Sequence, residues 1–443
     1  MSIILHFSTL KSYIRGDYHM KKILNLGNGL SLILDRNDRV STVTYAMYFA
    51  VGSIYESERN QGISHLVEHM FFRRLNRLPQ EEFYFRTESM AGTVGGTTST
   101  QYTRFELTVI SEYAAEAFEL MKEFFADFCW TFEELEAEKR VVCREIEQRG
   151  SGIDYLDYLQ SGSAAFSRPI KGTAETVTAL TLQEVNAWKR EFFSCDNACF
   201  VAVGNFDESI ERSIADCMSA VNPTAVRTPI RKQFRPKNAF NRRIETDRWL
   251  PSIDGGTADV SLIFDIDLAE NDLTAVRVAY DAFCCGNGSK LSLMLKDKYG
   301  LIYDMNPCLE VYGSYGRLFV GWSVQDKRLT DSLDIFFEQL KAFKQGITTR
   351  EYLSSVGFST VNAVKYRDDT CGLARQYGYF DFICGIPFSI EKSVLRKETL
   401  SAEEVNATIN SVFTPQNLFV YAATNRKHIR KKDLINYLIT ETS

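Results

Sequence analysis

Leu180-Thr181-Leu182-Gln183-Glu184-Val185-Asn186-Ala187 returns 220 residues later as Leu400-Ser401-Ala402-Glu403-Glu404-Val405-Asn406-Ala407. The same offset separates Asn197 from Asn417 and Asn205 from Asn425, and each pair frames an apolar run, Ala198 to Val203 and Leu418 to Ala423. Upstream, the alternating stretch Phe105 to Ile110 followed by the helical pattern Ala114 to Phe125 has its counterpart in Leu318 to Val324 followed by Leu329 to Leu340. A repeat of this length is the mark of two homologous halves. Period-2 segments such as Thr42 to Val51 adjoin one another, and long period-3.6 segments such as Thr131 to Gln148 follow them. Strands beside strands and helices after helices predict α+β halves with mostly antiparallel sheets, not a doubly wound α/β fold.

The joint between the halves is equally legible. Asn222 to Arg243 holds Pro223, Pro229 and Pro236 and seven basic residues with no acidic one. The expected organisation is a first half at residues 20–222, a linker at 223–243 and a second half at 244–443. We read the linker, and the basic run Arg426 to Lys432, as solvated surface. Residues before about His19 fit no part of the repeat.

Composition bounds the function. The chain has 443 residues, 45% of them hydrophobic and 24% charged, and carries a formal net charge of −6. That is ordinary globular composition and argues against a nucleic-acid binder or a disordered chain. No window approaches the apolar run a membrane span needs, and the N-terminus lacks a secretory pattern, so a cytoplasmic location is expected. Ten cysteines at scattered spacings match neither a zinc finger nor a disulfide framework and read as reduced thiols.

Only five histidines occur, and two of them stand four apart in His65-Leu66-Val67-Glu68-His69. On a helix, at about 100° per residue, Ile63, Leu66, Val67 and Met70 share one face while His65, Glu68 and His69 share the other. Two imidazoles one turn apart can reach a single divalent ion, and nitrogen donors of this kind suit zinc. Glu68, one residue from a ligand, is placed to take a proton from attacking water and pass it to a leaving amine. A catalytic zinc takes three protein ligands, so one more must come from elsewhere. The helical run Thr131 to Gln148 has a narrow apolar stripe of Leu135, Val142 and Ile146, with Glu138 and Glu145, seven apart, on its flank. Periodicity alone leaves these two as ordinary surface glutamates.

These residues together resemble the inverted-zincin metallopeptidases of the pitrilysin and insulinase type, from about Lys21 to Asn425. Asn28-Gly29-Leu30 looks like the family's opening strand, and Gly52-Ser53 with Tyr55-Glu56 leads into Gly62-Ile63-Ser64-His65. The family's third ligand lies in an E-x6-E pair some seventy-five residues beyond the second histidine. The resemblance therefore implies Glu145 as a ligand of one Zn2+ per chain and Glu138 as its outer support. It also implies two halves facing each other around a chamber, with zinc only in the first; the second half has no histidine before His428. From that half the family contributes a basic residue and a tyrosine seven apart, matched here by Lys296 and Tyr303, with Tyr303 bonding the developing oxyanion.

Three departures stand out. Lys296 replaces the family's usual Arg, losing the two-pronged hydrogen bond. Gly95-Gly96 replaces an Asn-Ala pair in the substrate-binding edge strand, where Thr98 and Thr103 match the family. Arg73-Arg74-Leu75 replaces a Lys-Gly-Thr at the helix exit. The glycine-rich Gly92 to Thr97 lacks a following Lys and leads into a strand, so it is read as an edge to which a peptide adds by backbone pairing rather than as a phosphate loop. The expectation is a zinc endopeptidase acting on unfolded peptides such as presequences, leader peptides or degradation products. At this length it would work as a homodimer or as a heterodimer with a paralogue. The rival from another class is a non-catalytic peptide-binding or scaffold subunit, against which the intact His65, Glu68, His69 and Glu145 weigh.

Overall fold

The computed structural model describes residues 21–148, 168–223, 243–247, 256–414 and 417–424. The N-terminal twenty residues, nearly all of the basic linker and the basic run at 426–432 lie outside them.

Among the described residues the main sheet of the first half has six strands: β1 (Lys22–Asn25), β2 (Ser31–Arg36), β3 (Thr42–Phe49), β4 (Thr93–Thr98), β5 (Thr103–Ile110) and β6 (Ala198–Gly204). They lie in the order β1-β2-β6-β3-β5-β4, antiparallel throughout except for the parallel pair β2 and β6. The second half has β7 (Arg243–Asp247), β8 (Thr257–Asp267), β9 (Cys308–Tyr312), β10 (Tyr315–Gln325) and β11 (Leu418–Thr424), in the order β9-β10-β8-β11-β7. Its one parallel pair is β11 with β7. Strand for strand this repeats β4-β5-β3-β6-β2. The mostly antiparallel α+β halves expected from the sequence are therefore present, and each tolerates one parallel neighbour because a long helical crossover separates those two strands.

The repeated octapeptide has a local reason to recur. It opens helix Leu182–Phe192 in one half and helix Ala402–Val412 in the other. In both, a hydroxyl (Thr181, Ser401) accepts from the amide three residues on, and that residue's glutamate (Glu184, Glu404) accepts from the cap's own amide. Such a reciprocal cap satisfies two otherwise orphaned donors.

Helix α1 (Ile63–Arg73) packs on one face of the first half's sheet, and helix α2 (Phe132–Gln148) packs against α1. Ile63, Leu66, Val67 and Met70 join Tyr45, Met47, Phe49, Phe105 and Leu107 in one buried cluster. The opposite face, Ile33, Ala46, Tyr48, Cys199, Val201 and Val203, is covered from the other half: Leu373, Ala374 and Tyr377 of helix α3 (Thr370–Tyr377) pack on it, with Phe382 and Ile390. Because both faces of β3 are buried, its sequence reads as a nearly continuous apolar run. Polar bonds fix the contact. The Tyr377 hydroxyl donates to Asp35 Oδ2 at 2.6 Å, the Tyr48 hydroxyl donates to the Arg375 carbonyl at 3.0 Å, and Thr44 and Thr370 share a hydroxyl bond of 2.8 Å. Among the described residues no helix is long and apolar enough to cross a membrane.

Candidate metal centre

Helix α1 starts at Gly62, whose φ of 86° is left-handed. A side chain there would meet the Lys171 carbonyl at 2.4 Å, and one on Gly172, also left-handed at φ 72°, would meet the Gln61 carbonyl at 2.3 Å. The two glycines let the chain at 168–173 press against the helix entry. Glu56 caps that entry: Oε2 accepts from the Gly62 amide at 2.8 Å and Oε1 from the Ser64 amide at 2.9 Å. An anion on helix N-terminal amides is favoured, yet burial outweighs these bonds and pushes the Glu56 carboxyl up to about 7.

One turn further along, the sequence spacing becomes geometry. His65 and Glu68 are buried, while His69 and Glu145 are half-buried. His65 Nε2 lies 3.2 Å and His69 Nε2 3.5 Å from the same oxygen, Glu145 Oε2. One donor atom from each of His65, His69 and Glu145 can be chosen so that all lie within 4.8 Å of one another. For metal bonds of 2.0–2.1 Å in a tetrahedral site, the ligand-to-ligand separation is about 3.3 Å. The donor set and its spacing therefore fit zinc.

The outer atoms of these side chains are also held. His69 Nδ1 meets Glu138 Oε1 at 2.9 Å, and Glu145 Oε1 pairs with Lys171 Nζ at 2.6 Å. Glu68 Oε2 accepts from the Thr98 hydroxyl at 2.5 Å and stands 3.6 Å from His65 Nδ1. The electrostatics agree from both sides of the His65 and Glu145 pair. Burial disfavours the charged imidazole, but its hydrogen bonds to the Glu145 and Glu68 carboxylates overcome it and raise His65 to about 9. The bond to His65 holds the Glu145 carboxyl well below the usual carboxylate range, with Lys171 adding to it against burial.

Helix α2 thus presents Glu138 and Glu145 toward α1, and strand β4 brings Thr98 to Glu68. Among the described residues strand β4 is the outer strand of its sheet, hydrogen-bonded to β5 alone. Gly95 and Gly96 lie in it, and a side chain on Gly96 would come within 2.5 Å of Glu68 Oε1 and of the Phe72 ring. The glycine allows the carboxylate and the ring to sit against the strand's backbone. Lys296 and Tyr303 are not part of this cluster. Lys296 is exposed on a π-helical turn (Ser292–Lys298) of the second half, and Tyr303, in the loop after it, is 92% exposed. Two contributors escaped the sequence reading: Lys171, and Glu56 as helix cap. Both sit in irregular chain, where no periodicity flags them; the Gly62 and Gly172 positions were the sole local sign.

Two family models match the chain in succession. The family model described as insulinase (peptidase family M16) matches residues 32–155, and that described as peptidase M16 inactive domain matches residues 179–355. An uncharacterized zinc protease of Bacillus subtilis, YmxG, is 22% identical over 394 residues, covering 87% of this chain and 94% of its own. The beta subunit of the mitochondrial-processing peptidase of Blastocladiella emersonii is 22% identical over 193 residues, 42% of each chain. A protease from Helicobacter pylori superposes with a TM-score of 0.81 at 15% identity, over 92% of this chain and 100% of that one. A peptidase M16 inactive domain from Pseudomonas fluorescens does so with a TM-score of 0.80 at 17% identity.

Proposed function

Because this chain belongs to the insulinase (M16) family of peptidases, we propose that it is a zinc-dependent endopeptidase cutting unfolded peptides, with one zinc held by His65, His69 and Glu145. The observation that carries the reading is the convergence of those three donors within 4.8 Å. Zinc bound there would supply Lewis-acid polarisation of the scissile carbonyl and of water. Everything else is the chain's own work. Glu68, aimed by the Thr98 hydroxyl, takes the proton of the attacking water and returns it to the leaving amine. Glu138 and Lys171 hold His69 and Glu145 from behind, fixing their orientation. The free edge of β4 takes the peptide as a further strand, so recognition rests on main-chain hydrogen bonds more than on sequence.

The same reading assigns Lys296 and Tyr303 to substrate and oxyanion contacts. Their exposure on the second half suits residues offered to the site of another chain, so the working unit in this proposal is a homodimer or a heterodimer with a paralogue. A relative named as a subunit supports the idea of assembly. All ten cysteines are free, which suits a cytoplasmic setting and substrates such as presequences, leader peptides or degradation products.

The test is a zinc determination run beside a quenched-peptide cleavage assay on wild type and Glu68→Gln. One zinc in both proteins, with cleavage lost only in the variant, is the expected result; a loss of about a thousandfold or more fits removal of the general base together with its positioning. Protein that takes up no zinc under metal-replete conditions and cuts nothing would instead support a non-catalytic peptide-binding or scaffold subunit.

A further inference from the structure

A cavity of about 680 Å3 lies in the second half, and none of its lining residues belongs to the half that carries His65 and His69. That volume is in the range of small-molecule sites. Its wall includes Phe380, Ile386, Pro387 and Phe388; its charged lining includes Arg277, Asp281 and Lys397. Lys397 is only 3% exposed, on helix Ile390–Thr399. Its carbonyl accepts from the Tyr352 hydroxyl, but among the described residues no hydrogen bond or ion pair reaches its ammonium. Arg277 stacks over the Phe380 ring at 5.5 Å and likewise forms no ion pair there. Asp281, also buried, lies within electrostatic reach of both cations without closing a salt bridge to either.

The other acids of the cavity already have partners. Asp272 pairs with Arg396 at 3.1 Å, and Asp369 accepts from the Gly372 amide at 2.9 Å. Lys365 and Lys392 also line the cavity but are exposed, so the cations set deepest in its partly apolar recess are Arg277 and Lys397, beside the single carboxylate of Asp281. A cation held in a partly apolar recess with few carboxylates beside it is favoured by an anion that reaches it there. Burial pushes the Lys397 ammonium down to about 8 and the Asp281 carboxyl up to about 6.

We propose that this cavity binds a small organic anion, an aromatic or branched apolar body bearing one carboxylate or phosphate, with the anionic group on Lys397 and Arg277 and the body against Phe380 and Phe388. Charge-assisted bonds to the anion satisfy both cations, and the ring wall takes the apolar part. The location gives the ligand a consequence. Ile390 and Phe388 line the cavity and also pack in the cluster by which the second half covers the first half's sheet. Occupancy therefore stabilises the contact between the halves, which the experiment reads as a higher melting temperature.

The experiment is calorimetric titration of the full-length, zinc-loaded protein with 3-phenylpropionate, with phenyl phosphate and with the neutral 3-phenylpropionamide. At least one anion binds with a dissociation constant at or below about 1 mM and raises the melting temperature, while the amide does neither. The better anion identifies the class, carboxylate or phosphate. Lys397→Met weakens binding about tenfold or more, and so does Arg277→Gln, which serves if the first variant folds poorly. The proposal is overturned if neither anion binds at this level, if the amide binds as well as the anions, or if both folded variants keep wild-type affinity.

Discussion

At the residue scale, the carboxylate of Glu68 depends on one hydroxyl for its aim. Thr98→Val keeps the shape of the side chain and removes the donor to Glu68 Oε2. Peptide cleavage should fall about tenfold to a hundredfold in kcat while zinc content stays at the wild-type level; an unchanged kcat would show that Glu68 is aimed by other contacts. Glu56 offers a test of a different kind, through pH. Its carboxyl is raised from 4.5 to about 7 by burial, so between those values the unfolded chain has released a proton that the folded chain keeps. Stability from this group is fully present below pH 4.5 and is lost as pH rises through about 7, by roughly 3 kcal/mol. Glu56→Gln has no such proton. In metal-free protein, the stability of wild type relative to the variant should therefore decline between pH 5 and pH 8, measured by urea unfolding; a constant difference would mean that Glu56 is ionised throughout.

At the scale of elements, the centre is an agreement between helix α1, helix α2 and the chain around Lys171. The i, i+4 histidines and the i, i+7 glutamates are each legible as faces of a helix, but a face has no partner until the helices cross. Periodicity could not separate Glu138 and Glu145 from surface glutamates, whereas in the structure they meet His69 and His65 at 2.9 and 3.2 Å. Gly62 is the hinge of that agreement. Gly62→Ala combines a left-handed backbone with a side chain 2.4 Å from the Lys171 carbonyl. It should cost about 2 kcal/mol or more of stability and weaken zinc binding, because the chain carrying Lys171 must retreat from Glu145. Equal melting temperatures and equal zinc affinity for the two proteins would contradict this account of the helix entry.

At the scale of the molecule, the halves are homologous without being independent. The sheet of the first half has Ile33, Ala46, Tyr48 and Val201 on a face that the second half covers with Leu373, Ala374, Tyr377, Phe382 and Ile390. A chain ending at residue 223 leaves that face in water, together with the buried Asp35 that receives the Tyr377 hydroxyl. Expressed alone, it should aggregate or bind a hydrophobic dye, and co-expression with the remainder should restore a soluble, zinc-binding complex. A monomeric first half with dispersed amide resonances would refute the dependence. In the intact protein, unfolding should accordingly run as one transition when followed at Trp188 and Trp322, one in each half.

What the sequence determined by itself is whatever repeats at short range. Alternation and helical spacing specify strands and helix faces, capping residues specify helix starts, and the recurring octapeptide specifies two halves, because each of these is dictated by backbone geometry within a few residues. The H-x-x-E-H spacing belongs to the same class, since a single helical turn brings His65 and His69 to one side. Tertiary structure alone decided which faces meet. Leu373, Ala374 and Tyr377 read as an ordinary apolar face of the second half, yet they cover the first half's sheet. Lys171 reads as one more loop lysine, yet it holds Glu145. Lys397 reads as the basic end of a helix, yet it is buried in the wall of a cavity. In each case the environment of a side chain is set by residues tens to hundreds of positions away, and no local periodicity carries that information.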